Sequence, residues 1–158
     1  MAQYPEELLL GKHTPVVDEY SPQLLYPISR ATGRSALALD GSRALYGADL
    51  WHAYEVSWLD SAGKPQVRVG RFTVPAGSPN MVESKSFKLY LNSLNSARFS
   101  SDEEVRGVIV TDVSAAAGAQ VELELLPVES PLLAGAELAG DCIDSEAMAE
   151  PVTEPAAD

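Results

Sequence analysis

Hydrophobic residues along the chain follow two rhythms, and each predicts a different element. From Leu50 to Leu59 (LWHAYEVSWL) aromatic and β-branched residues are dense, which predicts a strand. The turn cluster Asp60-Ser61-Ala62-Gly63-Lys64 separates it from Gln66 to Val74 (QVRVGRFTV), a second strand, and so short a connection predicts a β-hairpin. Strict alternation on the first strand places Leu50, Tyr54, Val56 and Trp58 on one face and Trp51, Ala53 and Leu59 on the other. Apolar residues on both sides predict a sheet at least partly covered on both faces, one by helices and the other by a partner or ligand.

Pro75 to Asn80 (PAGSPN) breaks the strand pattern, and the spacing then becomes helical. Phe87, Tyr90, Leu91 and Leu94 fall at i, i+3, i+4 and i+7, a single apolar stripe. Val105, Val108, Ile109, Val113 and Ala116 make a second stripe. Ahead of it stands a capping box, in which Ser101 accepts from the third helical amide and Glu104 reaches back. Asp102 and Glu103 add a favourable interaction with the helix dipole. Gly118 predicts the helix stop, and Val121 to Leu126 (VELELL) alternates as a third strand. A weak fourth strand is expected around Gly140 to Ile143. The order strand–strand–helix–helix–strand indicates an α+β architecture with an antiparallel sheet.

The remaining sequence is less regular. Residues 1–48 are rich in Pro, Gly and Ser; Pro15, Pro22 and Pro27 discourage helix, so this stretch is expected to be an extended arm with a short turn near Gln23 to Tyr26. Residues 49–144 form the expected module, and residues 145–158, made of Ala, Pro and acidic residues without aromatics, an acidic disordered linker or tail. The net charge of −12 is unevenly placed: eight acidic residues and no Lys or Arg lie between Glu129 and Asp158. Such a balance argues against nucleic-acid binding. There is one cysteine in 158 residues, which excludes an intrachain disulfide framework. No apolar run reaches the roughly 18 residues of a membrane span, and Met1 to Glu7 is unlike a secretory signal. A cytoplasmic protein without a membrane segment is the expectation.

The segment with chemistry in it is Glu83 to Tyr90 (ESKSFKLY), at the start of the first helix. Free amides at a helix start favour anions, and Lys85 and Lys88 add positive charge, so a phosphate-bearing ligand suits this place. Glu83 suits a purine-like edge that presents two N–H groups, and Ser84 can donate or accept. The alternative is an ordinary capped amphipathic helix with solvated lysines. His13 and His52 have no second ligand at metal spacing, so no metal site is assigned. Arg68 and Arg71 lie on opposite faces of one strand, and Trp51, Tyr54 and Trp58 are expected in the core or an interface. Cys142 sits between Asp141 and Asp144, the wrong charge to activate a thiol, so no catalytic residue is assigned in this chain.

ESKSFKLY resembles, place by place, the motif of the 7-cyano-7-deazaguanine reductases: Glu, Ser or Leu, Lys, Ser or Ala, a hydrophobe, Lys, Leu or Tyr, then an aromatic. Leu10-Gly11-Lys12, Asp49 to Leu59, Pro65-Gln66-Val67 and Leu91-Asn92-Ser93 also resemble the long, two-module members. The resemblance implies the tunnelling fold, an antiparallel sheet with two helices on one face, assembled into oligomers. It implies NADPH as cofactor and 7-cyano-7-deazaguanine as substrate, its nitrile reduced to an aminomethyl group in queuosine biosynthesis, a tRNA modification. By position, Val82, Glu83 and Ser84 would contact the substrate, and Ser84 and Lys85 the NADPH. In such members the nucleophilic cysteine, which forms a thioimide, belongs to a C-terminal catalytic module. Cys142 lacks the context of that nucleophile. A non-catalytic purine-binding or assembly module is the alternative from another class; a pterin- or GTP-processing enzyme of the same fold would want Cys and His metal ligands that this sequence does not supply.

Overall fold

The hairpin forms where the two β-rich runs predict it. In the computed structural model, which describes residues 17, 19–37, 46–136 and 139–147, the elements are β1 (Pro27–Ser29), α1 (Arg30–Ala36), β2 (Ala48–Leu59), β3 (Pro65–Pro75), β4 (Asn80–Val82), α2 (Ser84–Ser93), α3 (Asp102–Ala117) and β5 (Glu122–Leu126). Short 3-10 turns occupy Pro22–Leu24 and Pro131–Leu133. β2 and β3 pair antiparallel, with Ala48 opposite Pro75 and Leu59 opposite Pro65. The Asp60 carboxylate fastens the connecting turn by accepting from the Ala62 and Lys64 amides, each at 2.9 Å. β5 pairs with the other edge of β3, giving an antiparallel sheet in the order β2-β3-β5. A separate two-stranded sheet joins β1 to β4.

The faces of β2 differ from the alternation expected for it. Register holds from Ala48 to Ala53 and resumes at Val56 opposite Arg68, so Tyr54 and Glu55 together face the one residue Val69. This bulge inverts the side-chain parity of the strand. Trp51 and Ala53 pack on the core before it, and Val56 and Trp58, both buried, after it. Leu50 (65% exposed) and Tyr54 (72% exposed) lie on the outer face instead of beside Val56 and Trp58.

Helices α2 and α3 cover the inner face. Val105, Ile109 and Val113 are fully buried or nearly so, as are Tyr90 and Leu94, and the stripes of both helices meet Phe72, Val74 and Leu123 of the sheet. Each such aliphatic side chain contributes about 1.5–3 kcal/mol by leaving water. Phe87 stands edge-on to Phe72, with ring centroids 4.9 Å apart. Gly70 leaves room for that ring: a Cβ there would lie 2.9 Å from it. The capping box at α3 is displaced by one residue. Ser101 accepts from the Glu104 amide at 3.2 Å, but the Glu104 carboxylate reaches back to the amide and hydroxyl of Ser100, each at 2.6 Å. Those bonds, the hydroxyl's first, hold the Glu104 carboxyl below its ordinary range. Gly118 closes the helix in the left-handed conformation, φ 70°.

Three expectations are corrected. Residues 30–36, expected within an extended arm, form α1, held by Arg30 on Asp49 and by the Arg30 Nε donating to Ser78 at 3.0 Å. Residues 140–143 form no strand; β4, inside the Pro/Gly stretch, provides the additional pairing. The bulge revises the faces of β2. His13, residues 1–16 and residues 148–158 lie outside the described residues.

Candidate functional site

The site is built on the step from β4 into α2. Val82 ends β4 opposite Pro27 and turns its side chain into the core. What it can offer a ligand is therefore main chain. Glu83 follows as the N-cap residue in extended conformation, φ −66° and ψ 133°. Its carboxylate accepts from the Lys85 amide at 2.9 Å and the Ser86 amide at 2.6 Å, and the residue is only 4% exposed. Two of the amides expected to meet an anionic ligand are thus taken by the protein's own carboxylate. That carboxylate retains acceptor capacity beyond these two bonds. Ser84 is exposed and Lys85 half-buried on the first turn, with Lys88 exposed one turn further on. Cations in a first turn oppose the helix dipole, and the Glu83 charge offsets this.

Ser84 and Lys88 form one wall of a groove of about 280 Å³ between α2 and β2, together with Asn92 and Leu91. Trp51, His52, Ala53, Tyr54 and Glu55 line the other wall, and Phe87 also borders it. The His52 and Tyr54 rings stack there with centroids 6.1 Å apart. The β2 bulge makes this wall, because it brings Tyr54 and Glu55, both exposed, next to each other on one strand. The groove therefore combines planar rings, amide and hydroxyl groups, the Lys88 cation on one wall and the Glu55 carboxylate on the other, a lining suited to part of a planar polar ligand whose negative charge lies on the Lys88 side.

Of the four residues expected at the site, only Ser84 lines this groove; Val82 and Glu83 turn inward beside it, and Lys85 is not on its walls. Sequence reasoning missed Asn92 and the part Trp51, His52, Tyr54 and Glu55 play. The signal was the spacing of Trp51-x-Ala53 and Val56-x-Trp58, two alternating pairs out of phase by one residue. Cys142 is exposed in the irregular segment after Pro131–Leu133 and lines no wall of the groove. Among the described residues there is no group of three or more His, Cys, Asp or Glu placed to hold a metal, and no helix long and apolar enough to cross a membrane.

Residues 16–125 match the family described as nitrile reductase, 7-cyano-7-deazaguanine-reductase N-term. The chain belongs to this family. A protein of Xanthomonas campestris pv. campestris named NADPH-dependent 7-cyano-7-deazaguanine reductase is 51% identical over 128 residues, 80% of this chain and 47% of that protein. Proteins of the same name from Bordetella avium and a Polaromonas species are 46% identical over 136 residues and 50% identical over 125. The chain spans about half the length of these curated relatives. Within this nitrile reductase family, the matched stretch contains both walls of the groove and the whole of α2.

Proposed function

We propose that the chain is the N-terminal module of an NADPH-dependent oxidoreductase that reduces the nitrile of 7-cyano-7-deazaguanine in queuosine biosynthesis, in a cytoplasmic setting. The observation that carries this reading is the placement of the motif Glu83 to Tyr90. It folds as the first turns of α2, with Glu83 at the cap and with Ser84 and Lys88 one turn apart on a groove. Glu83 would accept N–H groups of the deazapurine with the capacity left over from capping, and the Val82 main chain and Ser84 would complete that contact. NADPH, when bound, supplies the hydrides. Ser84 and Lys85 would hold it, the ammonium acting on its phosphates. The fit to the cofactor is that of one wall: the rings and cation of the groove suit part of a dinucleotide, and the volume is below that of most complete ligand pockets.

The remaining contacts, including the nucleophilic cysteine that the resemblance implies, would come from a C-terminal catalytic module. The finer fold assignment, the tunnelling fold, belongs to the same proposal, supported by a three-stranded antiparallel sheet with α2 and α3 on one face. So does a homo-oligomer, supported by Leu50, Tyr54 and Val67 exposed on the sheet's strands. The testing experiment is Lys85→Ala in the chain joined to a C-terminal module. The expected result is a raised Michaelis constant for NADPH with little change for the nitrile, and the same defect induced by salt in the unmodified protein. Equal small effects on both constants would refute the assignment.

A further inference from the structure

Residues 20–29 cross α2 from one end to the other and grip it at each. At its C-terminal end the Ser21 amide donates to the Ser93 hydroxyl at 3.1 Å, and both serines are buried. At its N-terminal end Tyr26 is held by both main-chain groups. Its amide donates to the Ser86 hydroxyl at 3.0 Å, and its carbonyl accepts from the Glu83 amide at 2.9 Å. Ser86, fully buried, in turn donates its hydroxyl proton to the Glu83 carbonyl at 2.7 Å. The chain then runs directly into the β1–β4 pairing, Pro27 opposite Val82. A third fastening lies on α3, where the Tyr20 and Tyr90 hydroxyls both donate to Asp112 Oδ2 at 2.6 Å.

These contacts converge on one residue. The Glu83 amide donates to the segment, its carbonyl accepts from the Ser86 hydroxyl and from the Phe87 amide, and the Ser86 amide is itself a partner of the Glu83 carboxylate. A buried carboxylate held so keeps about one acceptor site on each oxygen, in directions that the two amide bonds fix. We infer that the segment 20–29 is a strap that positions the carboxylate of Glu83, acting through Ser86 as a positioning residue. The inference rests on the reading of Glu83 as a substrate contact only for its consequence in the reaction. Ser93, fourteen ångströms or so along a ten-residue helix by its rise per residue, holds the strap without touching Glu83.

Two measurements separate the strap from the functional reading. The first is residue-resolved amide exchange of the 158-residue chain. Ser86→Ala should speed exchange of the Tyr26, Glu83 and Lys85 amides about three- to tenfold, the change expected for one lost hydrogen bond, with α3 unaffected. Ser93→Ala should speed exchange at Ser21 and leave residues 83–86 as they were. Unchanged exchange at Tyr26 and Glu83 in Ser86→Ala, or a uniform rise throughout the chain, would overturn the inference. If Ser86→Ala does not fold, Tyr20→Phe weakens the strap from α3, and it should speed exchange at Ser21 and Tyr26 before any residue of α3; no such order overturns it equally. The second is steady-state kinetics with a C-terminal module. Ser86→Ala should raise the Michaelis constant for the nitrile several-fold with the NADPH constant nearly unchanged, and Ser86→Thr, which keeps the hydroxyl, should restore it. Local exchange changes with unaltered kinetics would uphold the strap and sink the assignment of Glu83 to substrate.

Discussion

Replacing Glu83 by Gln tests the cap and the site together. The carboxylate is 4% exposed and accepts two amide bonds, 2.9 Å from Lys85 and 2.6 Å from Ser86. Glutamine has a single oxygen to offer, so one of these amides would face an NH₂ group or lose its partner. Losing one hydrogen bond to a charged group costs about 1.5–3 kcal/mol. The charge that complements the helix dipole disappears as well, worth about 0.3–1 kcal/mol near a helix start. Rotation that keeps the oxygen on the shorter bond, at Ser86, limits the total to about 2–3 kcal/mol. For a folded unit of this size that corresponds to a melting temperature lower by on the order of 10 °C. Thermal unfolding followed by circular dichroism measures it. If Glu83 also receives the deazapurine, the amide donor would oppose the ligand's N–H groups and weaken binding by roughly ten- to a hundredfold. A melting temperature within about 2 °C of the unmodified chain would refute the cap energetics. A large thermal effect with unchanged nitrile affinity would leave Glu83 a structural residue.

Gly118→Ala should destabilise the chain by about 2 kcal/mol, because the position has φ 70° and a Cβ there would lie 2.8 Å from the Pro79 ring; an unchanged denaturation midpoint would contradict this. Stability should also fall as alkali rises. The Tyr90 hydroxyl is held above its ordinary 10.0, first by burial and then by its hydrogen bond to Asp112. The unfolded chain therefore releases this proton near pH 10 while the folded chain keeps it, and stability present below that pH is lost above it, by about 1.4 kcal/mol per pH unit. Urea unfolding at a series of pH values should show a shallower loss in Tyr90→Phe; parallel curves would dismiss Tyr90 as the cause.

The elements were legible wherever one rhythm ran unbroken. The stripe Phe87, Tyr90, Leu91 and Leu94 is buried, and Gly118 closes α3. What the sequence concealed depends on pairing between distant residues. The bulge at Tyr54 and Glu55 is set by register against β3 and appears only when Val69 faces two residues. Helix α1 and strand β1 are short, and tertiary contacts such as Arg30 on Asp49 and Pro27 beside Val82 decide them over local propensity. The site was legible as a motif but not as geometry. No local pattern marks Ser86 and Ser93 as core positions, yet both are buried partners of the Tyr26 and Ser21 amides. Glu83 read as a ligand reader, and its capping bonds emerge only once α2 has formed.

The central claim is that this chain carries one half of a nitrile reductase site and not its nucleophile. The direct measurement is consumption of NADPH dependent on 7-cyano-7-deazaguanine, by the 158-residue chain alone and by the same chain joined to the C-terminal half of a curated relative. The account predicts no consumption by the chain alone, restored turnover in the joined protein, and no effect of Cys142→Ala on that turnover. Substrate-dependent consumption by the chain alone, abolished by Cys142→Ala, would contradict it.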